Sequence, residues 1–290
     1  LARIYAHTRQ QFGRAIEAIP PVAEMVTDMH IAIEAARVLT YETSRICDHE
    51  NNLLRLVETC ADKLSKEDLK RYKKEGRALK RLNSMLTPMS KYYASEMCCD
   101  VSDTAIQVLG GSGYMQDYAA ERHLRDARIT TIYEGTSQLQ VVAAERGVTS
   151  GTFEKYLEDF EDLDYQLESL QTLKNKLLEG KAELLKAIEF VKTQPTAYLD
   201  LVGRKLVDSA IIIIVGHLFL GQAVKNERKQ SVARRFIQSS IQVLRMNCEL
   251  ILSRDTSAMD DYEVLAGPVP TANLSLIYAG AGGAKSQITS

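Results

Sequence analysis

Apolar residues recur every three or four positions along most of the chain, the spacing that places them on one face of an α-helix. The first such stretch spans residues 21–48 and follows a Pro-Pro pair, which suits the first turn of a helix. We predict that this helix ends at Asn51 and Asn52. Its apolar positions are Val22, Met25, Val26, Met29, Ile33 and Ala36.

A second long helix is predicted over residues 85–109. Gly110-Gly111 ends it, because glycine adopts left-handed backbone conformations at little cost. Residues 117–133 predict a further helix, which Gly135 breaks. The predicted inner side of that helix carries Leu124, Ala127, Ile129 and Ile132.

The following helix is predicted to begin with a capping box, Ser137 followed by Gln140, and to continue to Arg146. The segment GVTSG, residues 147–151, has the small and polar composition of a domain boundary. Beyond it, helical patterns cover residues 163–193, 197–226 and 229–256.

No run of residues alternates between apolar and polar in the manner of a strand, so the predicted fold class is all-α. We expect two successive helical bundles with antiparallel neighbours, residues 1–148 and residues 149–290. The second domain is predicted to end in an irregular tail from Gly267, which is rich in Gly, Ala, Ser and Thr.

The composition is that of a globular protein, with 45% hydrophobic and 26% charged residues. A formal net charge of -2 gives no reason to expect a nucleic-acid partner. The five cysteines form no CxxC pair, which is typical of a reduced, intracellular protein. The five histidines are scattered, so no metal site is predicted.

Two segments raise the question of membrane contact. The apolar run at residues 206–224 approaches membrane-spanning length, but Asp208, Gly216, His217 and Gln222 interrupt it. A buried bundle helix is therefore favoured. Residues 62–81 carry nine basic and four acidic residues, which favours a solvated helix or insertion over a patch for a membrane or anionic partner.

Three motifs could carry chemistry, and each has an ordinary structural alternative. RQQFG at residues 9–13 could be a helix end, with Phe12 packed inward and Gly13 as its C-cap. QVLGGSGY at residues 107–114 could bind phosphate through glycine backbone amides, but it lacks the strand and the Lys of the known phosphate loops. IYEGTSQ at residues 132–138 could be a helix–helix corner with an incidental acid.

In this order and at this spacing, the three motifs resemble the C-terminal helical domain of the acyl-CoA dehydrogenase family. The matching run QVLGGSGYMQDYAAERHLRDARITTIYEGTSQLQ has no gap, and the resemblance covers residues 1–148. It implies an up-down four-helix bundle and an FAD-dependent enzyme. In that family an acyl-CoA thioester loses a proton from Cα and a hydride from Cβ to FAD, which gives a trans-2-enoyl-CoA.

The resemblance assigns the α-proton base to Glu134. A carboxylate suits this task when burial raises its pKa, and hydrogen bonds that polarise the thioester carbonyl assist it. Tyr133 is expected to line the acyl pocket, and Gly135 to leave room for the thioester. The sequence does not separate short from long or branched acyl chains.

The same resemblance assigns FAD contacts and partners. Thr136 and Gln138 are expected to contact the FAD of the same subunit. The FAD of a neighbouring subunit is expected to contact a second set, which implies a homo-oligomer, a dimer or a tetramer. The expected electron acceptor is an electron-transfer flavoprotein, with no membrane contact. The second set comprises Arg9, Gln11, Phe12, Gln107, Gly110 and Gly111.

The chain also departs from the family pattern. Where family members often carry a Gln that helps to hold FAD, this chain has Ile19, Pro20 and Pro21. The charged segment at residues 50–85 and the extension at residues 151–290 resemble the larger branch that includes the very-long-chain enzymes. The N-terminal helical domain and the β-domain are absent, so we expect a fragment that binds FAD poorly and is inactive alone.

Two alternatives remain open at this point. One is an acyl-CoA oxidase, which uses O₂ in place of a flavoprotein acceptor. The other is a non-catalytic helical oligomerisation module that keeps the family fold. The expected location is the cytoplasm, or the mitochondrial matrix if the source is eukaryotic.

Overall fold

The computed structural model describes residues 1–268, which are almost entirely helical, as the all-α prediction requires. The predicted irregular tail lies outside the described residues from position 269 on. The helices are α1 Ala2–Thr8, α2 Pro20–Cys60, α3 Lys66–Leu109, α4 Gly111–Tyr114, α5 Ala120–Arg128, α6 Ser137–Thr149, α7 Thr152–Glu161, α8 Glu168–Lys192, α9 Thr196–Ala223, α10 Glu227–Leu252, α11 Ser257–Asp260 and α12 Tyr262–Ala266.

The structure contains one small element that the sequence did not predict, an antiparallel β-hairpin of two-residue strands. Its strands are β1 Gln10–Gln11 and β2 Arg14–Ala15. Two short 3₁₀ turns, Ile16–Ala18 and Ile129–Thr131, complete the regular structure of the described residues. A hairpin this short contains too few residues for an alternating pattern to be visible.

Helices α2 and α3 form a long antiparallel hairpin, and both are longer than predicted. Helix α2 continues through Asn51 to Cys60, because exposed asparagines cost a helix only about half a kcal/mol each. Helix α3 begins at Lys66, where the Ser65 hydroxyl accepts a hydrogen bond of 3.0 Å from the Asp68 N–H. The charged segment is therefore the outer part of this hairpin and not a separate insertion.

One hydrophobic core runs through both predicted domains. It contains Leu39 of α2, Val141 of α6, Phe153 of α7 and Leu206 of α9, none of which has measurable exposure. Residues 1–252 accordingly form one compact unit, and residues 253–268 belong to a second. The division at residues 148 and 149 stays a prediction.

The apolar helix α9 is the central helix of this core. It is the one helix among residues 1–268 that is long and apolar enough to cross a membrane, yet 72% of its most apolar window is buried within the protein. Ile213, Ile214 and His217 have no measurable exposure. These are the surroundings expected for a buried bundle helix.

A second, smaller core cluster lies where α1, the beginning of α2, the end of α3 and α5 meet. It joins Ala6, Ile16, Met29 and Leu109, among others. The Tyr5 hydroxyl donates a hydrogen bond of 3.3 Å to the Ser112 hydroxyl, which links α1 to the turn after α3. This cluster fixes the end of the bundle that carries two of the three sequence motifs.

The inner face predicted for residues 117–133 is only partly right. Ala127 is buried, but Ile129 and Ile132 are 54% and 48% exposed. The α-helix ends at Arg128, and the 3₁₀ turn that follows changes the direction of the later side chains. The 3.6-residue period used for the prediction therefore does not apply beyond Arg128.

Helices α6 and α9 meet at a buried acid, Glu145. Its residue is 7% exposed, and its Oε2 atom has no hydrogen-bond partner among the described residues. A Cβ atom on Gly203 would lie 2.4 Å from that oxygen, so the absence of a side chain there makes room for the carboxyl. Burial, together with the nearby charge of Asp200, raises the pKa of Glu145 to about 7.

We predict that Glu145→Gln stabilises the protein above pH 7. The folded-state pKa lies above the ordinary value, so wild-type stability falls as the pH rises from 4.5 to about 7 and Glu145 ionises. The neutral amide avoids this loss, which we expect to be worth about 1–2 kcal/mol at pH 8 and close to nothing at pH 4. Urea unfolding at both pH values measures the difference. Glu158→Gln, at an exposed position of α7, is the matched control.

Helix α6 also crosses α3 at close range. A Cβ atom on Gly147 would lie 2.5 Å from the Cβ of Met85, whereas one on Gly221, also helical, would meet nothing within 4 Å. We predict that Gly147→Ala destabilises the protein by about 1–3 kcal/mol through overpacking. Gly221→Ala is expected to stabilise it by about 0.5–1 kcal/mol, because it changes only helix propensity.

Equilibrium urea unfolding of both glycine variants provides the measurement. Equal effects of the two substitutions would contradict a close contact between α6 and α3.

Candidate active site

Glu134 lies at a corner between α5 and α6, on strained backbone. Its φ is 52°, and that of Gly135 is 92°, so two successive residues are left-handed. Such a conformation is natural for glycine but costs about 1 kcal/mol or more for glutamate. Non-glycine residues in this region concentrate at functional sites, where the surrounding structure holds them in place.

A lysine from another helix holds this corner. The Lys91 Nζ atom of α3 donates hydrogen bonds to the carbonyl oxygens of Thr130, at 2.9 Å, and Gly135, at 2.7 Å. The same atom lies 5.6 Å from the centre of the Tyr133 ring. Lys91 thus fixes the backbone on both sides of Glu134. The Glu134 side chain is exposed, so the described residues do not supply the burial expected for the base.

Lys91 is not among the site residues predicted from the sequence. The available signal was weak, a lysine directly before the buried Tyr92 in the predicted helix. Its hydrogen-bond partners are 39 and 44 residues away along the chain, so nothing local indicates what it binds.

The predicted capping box at Ser137 and Gln140 is wrong by one residue. The N-cap of α6 is Thr136, whose hydroxyl accepts a hydrogen bond of 3.4 Å from the Leu139 N–H. Ser137 is buried, and the Gln140 side chain donates to the Glu134 carbonyl at 3.1 Å. The left-handed pair before the helix moves its start by one residue and redirects Gln140 to the corner.

Thr136 and Gln138 line a cavity of about 420 Å³ beside the corner. Two guanidinium groups also line it, those of Arg128 and of Arg204, which belongs to α9. Arg204 pairs with Glu96 at 3.7 Å, and Arg128 contacts the Thr131 hydroxyl. Guanidinium groups are suited to phosphate, but the acid Glu96, which pairs with Arg204, lines the same cavity.

The RQQFG motif joins α1 to the β-hairpin: Arg9 is the C-cap of α1, and the residues from Gln10 on form the first strand and the turn. Phe12 and Gly13 occupy its two turn positions, with φ values of 53° and 74°, the pattern of a two-residue hairpin turn with left-handed central residues. Phe12 is 87% exposed, so the interpretation of Phe12 as packed inward and of Gly13 as a helix C-cap is wrong. The hairpin presents Arg9, Gln11 and Phe12 at the surface.

The glycine motif ends α3 as predicted. Gly110 follows the last residue of α3 with a φ of 60°, and Gly111 begins the short helix α4. Gln107, Gly110 and Gly111 are exposed. The Tyr5–Ser112 hydrogen bond holds this turn beside α1, directly before the hairpin.

The structure therefore places the predicted site residues in two groups. Tyr133, Glu134, Gly135, Thr136 and Gln138 are neighbours in sequence and form the corner group. Arg9, Gln11, Phe12, Gln107, Gly110 and Gly111 lie at the other end of α5 and form the turn group. Helix α5 runs back along α3, with a Cys99 to Ala127 contact of 3.5 Å between the two ends.

Helix α3 gives a measure of the distance between the groups. Lys91, at the corner group, and Gln107, in the turn group, are sixteen residues apart on it. At 1.5 Å per residue this corresponds to about 24 Å along the helix axis.

Two family models match the chain. Residues 1–149 match "Acyl-CoA dehydrogenase, C-terminal domain", and residues 149–251 match "Acyl-CoA dehydrogenase C terminal". The first model covers about half of the chain and contains both groups of candidate residues.

Curated relatives match the first half of the chain. The caffeyl-CoA reductase–Etf complex subunit CarC of Acetobacterium woodii is 35% identical over 136 residues, which are 47% of this chain and 28% of that protein. The mitochondrial short-chain specific acyl-CoA dehydrogenase of Homo sapiens is 35% identical over 136 residues, 47% of this chain and 26% of that protein. The chain thus matches well under half the length of these relatives.

Solved structures match nearly the whole chain in fold. An acyl-CoA dehydrogenase of Bacillus anthracis, complexed with FAD, has a TM-score of 0.64 at 21% identity, covering 91% of this chain and 47% of that one. ACDH-11 of Caenorhabditis elegans, in complex with C11-CoA, has a TM-score of 0.63 at 24% identity, covering 93% and 44%. The two-part helical architecture is therefore found in longer proteins.

We predict that Lys91→Met loosens the corner around Glu134. The substitution removes two charge-assisted hydrogen bonds to backbone carbonyls and should lower the free energy of unfolding by about 1.5–3 kcal/mol. Hydrogen–deuterium exchange should become faster in the corner at residues 130–137 than elsewhere in α6. Lys70→Met, at an exposed position of the same helix, serves as control. Unchanged exchange at the corner would refute the bracing role of Lys91.

Proposed function

Because the chain belongs to the acyl-CoA dehydrogenase family, we propose that it is the catalytic-base part of an FAD-dependent acyl-CoA dehydrogenase. Glu134 would remove the α-proton of an acyl-CoA thioester. The observation that carries this proposal is the corner itself, a glutamate on left-handed backbone that Lys91 and Gln140 brace from two helices.

A base needs a fixed position more than it needs many contacts. A displacement of about 1 Å at a reacting atom can reduce a rate a hundredfold, so the backbone on both sides of the carboxylate must be rigid. The hydrogen bonds to the carbonyls of Thr130, Glu134 and Gly135 supply that rigidity. They leave the carboxylate free to accept a proton from a substrate.

The neighbours of Glu134 suit a thioester. Gly135 has no Cβ, and one built there would lie 2.7 Å from the Gln140 side chain, so a larger residue would disturb the brace. Tyr133 is about half exposed and offers an aromatic surface beside the base. We assign Gly135 to the thioester end and Tyr133 to the acyl pocket.

The cofactor proposed for this site is FAD, which would accept the hydride from Cβ when bound. Thr136 and Gln138, with Arg128 and Arg204, would hold its phosphate-bearing part in the cavity beside the corner. Arg204 lies outside the motifs that carry the resemblance, in the region that matches the second family model. The residues Ile19, Pro20 and Pro21 leave one family contact to FAD unfilled.

The turn group supports a cofactor shared between subunits. Arg9, Gln107, Gly110 and Gly111 are exposed and lie about 24 Å along α3 from the Glu134 corner. We propose that they hold the FAD of a neighbouring subunit, with the exposed Phe12 and Gln11 against it. Such an arrangement requires a homo-oligomer, either a dimer or a tetramer.

We propose an electron-transfer flavoprotein as the redox partner. The support is the name of the Acetobacterium woodii relative, which is a subunit of a reductase–Etf complex. An oxidase would react with O₂ instead, so oxygen consumption by the reduced holoenzyme distinguishes the two.

Glu134→Gln tests the assignment of the base. In a chain that includes the flavin-binding domains of the family, we expect dehydrogenation to fall about 10²–10⁴-fold, because the amide cannot accept the proton. Flavin content, read from the visible absorbance, should not change. Glu158→Gln, an exposed acid on α7, should leave both activity and flavin content intact.

Full activity of the Glu134→Gln holoenzyme would remove Glu134 as the base while leaving the family membership untouched. The 290 residues alone are expected to turn over no acyl-CoA and to retain little FAD. Within residues 1–268 the strands are two residues long, so no described part of the chain forms the β-domain that the family uses against the flavin ring.

A further inference from the structure

A cavity of about 620 Å³ lies outside the corner and turn groups. Its walls come from the outer half of the α2–α3 hairpin and from the turn and helix that begin at Ser150. It is larger than the cavity beside Thr136 and falls within the range of 300–1,000 Å³ that is typical of small-molecule sites.

The floor of this cavity, which we call the hairpin cavity, is apolar. Ile46 and Leu79 are buried beneath it, and Leu82 and Phe160 are partly buried beside them. The Tyr156 hydroxyl donates to Glu42 at 2.8 Å, so that ring adds an apolar surface whose polar atom already has its partner. A ligand would gain from placing a hydrocarbon part on these side chains.

The rim carries cations. Arg81 and Lys155 line the hairpin cavity and take part in no ion pair or side-chain hydrogen bond among residues 1–268. Arg45, in contrast, pairs with Glu42 at 2.7 Å, and His49 lies 3.4 Å from Glu75. The other acid of the rim is Asp159, so the rim holds more cations than acids.

The N-terminus of α7 adds a second attraction for a negative charge. Gly151 and Thr152 line the hairpin cavity, and this ten-residue helix has no side-chain hydrogen bond at its N-cap. Its first backbone N–H groups and its dipole favour an anion at that end, where the first turn already carries the carboxylate of Glu154, a residue that does not line the cavity. The two free cations and the helix end therefore surround the same apolar floor.

We propose that the hairpin cavity binds a single-chain amphiphile with a carboxylate head, that is, a free fatty acid of medium length. The hydrocarbon chain lies on Ile46, Leu79 and Phe160. The carboxylate pairs with Arg81 and Lys155 near the beginning of α7. The site is independent of the reaction assigned to Glu134.

The geometry of α3 keeps this site apart from the Glu134 corner. Leu82 precedes Lys91 by nine residues, which is two and a half turns of helix. The two residues are about 13 Å apart along α3, and no residue that lines the hairpin cavity also lines the cavity beside Thr136. A fatty acid in the hairpin cavity is not positioned for α-proton removal.

The absence of tryptophan from the chain permits a direct test. A Phe160→Trp variant carries one reporter in the hairpin cavity, and Tyr114→Trp carries one at an exposed position near the turn group. We expect dodecanoate, titrated below its micelle concentration, to change the fluorescence saturably for Phe160→Trp alone. Dodecanol, which has the same chain without the charge, should bind at least tenfold more weakly.

Variants locate the charge and the floor. In the Phe160→Trp protein, the double substitution Arg81→Gln and Lys155→Gln should weaken dodecanoate binding at least tenfold and leave dodecanol binding unchanged. The matched control changes Lys73 and Arg77 to Gln, two exposed cations of α3 that do not line the cavity. Ala78→Phe, which fills the cavity from its α3 side, should abolish binding of both probes.

Circular dichroism establishes that each variant is folded. If the Phe160→Trp variant does not fold, Leu82→Trp serves as the reporter in its place. The proposal is overturned if dodecanoate gives no saturable signal, if Ala78→Phe does not reduce it, or if the Lys73/Arg77 control weakens it equally. The proposal is also overturned if the fluorescence change depends on protein concentration and not on dodecanoate concentration, because a second copy of the chain would then cover the cavity.

Discussion

Helix α3 packs along α2 and α6 through side chains that exclude water completely, among them Met85, Leu86 and Met89. This helix is continuous over 44 residues, although Pro88 lies inside it, with an average rise of about 1.5 Å per residue. Leu82, Lys91 and Gln107, at three positions along it, each belong to a different feature. The spacing between the corner, the turn group and the hairpin cavity follows from this single packed helix.

The corner shows how a strained conformation is maintained. The positive φ of Glu134 is energetically unfavourable, and no interaction between neighbouring residues in the sequence compensates for it. Two charge-assisted hydrogen bonds from Lys91 and one from Gln140 offset that cost, and each is accepted by a backbone carbonyl of the segment between α5 and α6. The same contacts that stabilise the corner therefore present the carboxylate of Glu134 to the outside.

The second family region is part of the same core and not an appended module. Helix α9 packs its apolar residues against α6, α8 and α10, and it brings Arg204 to the cavity that Thr136 lines. Its Gly203 makes room for the buried carboxyl of Glu145 on α6. Buried His217 has a pKa lowered to about 4, because burial, with Lys181 and Lys174 nearby, disfavours its charged form. The contact between α6 and α9 thus joins residues of the two family regions, residues 1–149 and residues 149–251.

Most helices can be predicted from local sequence, because hydrophobic periodicity and glycine act over a few residues. Gly110 ends α3 as its backbone freedom predicts, whereas α5 ends at Arg128, seven residues before the predicted break at Gly135. The order of three motifs was enough to indicate the family. It also indicated Glu134. The charged hairpin, in contrast, was divided too early, since exposed asparagines and lysines resemble a loop in composition while they continue a helix.

Only the tertiary structure decided which side chains meet. Lys91 binds carbonyls 39 and 44 residues away, and Arg204 reaches a cavity whose other residues lie in the first half of the chain. Phe12 is exposed because its hairpin turns outward, although its apolar side chain alone favours burial. These outcomes depend on contacts between segments that are distant in the sequence. Such contacts form only when the helices pack, so a pattern of neighbouring residues does not predict them.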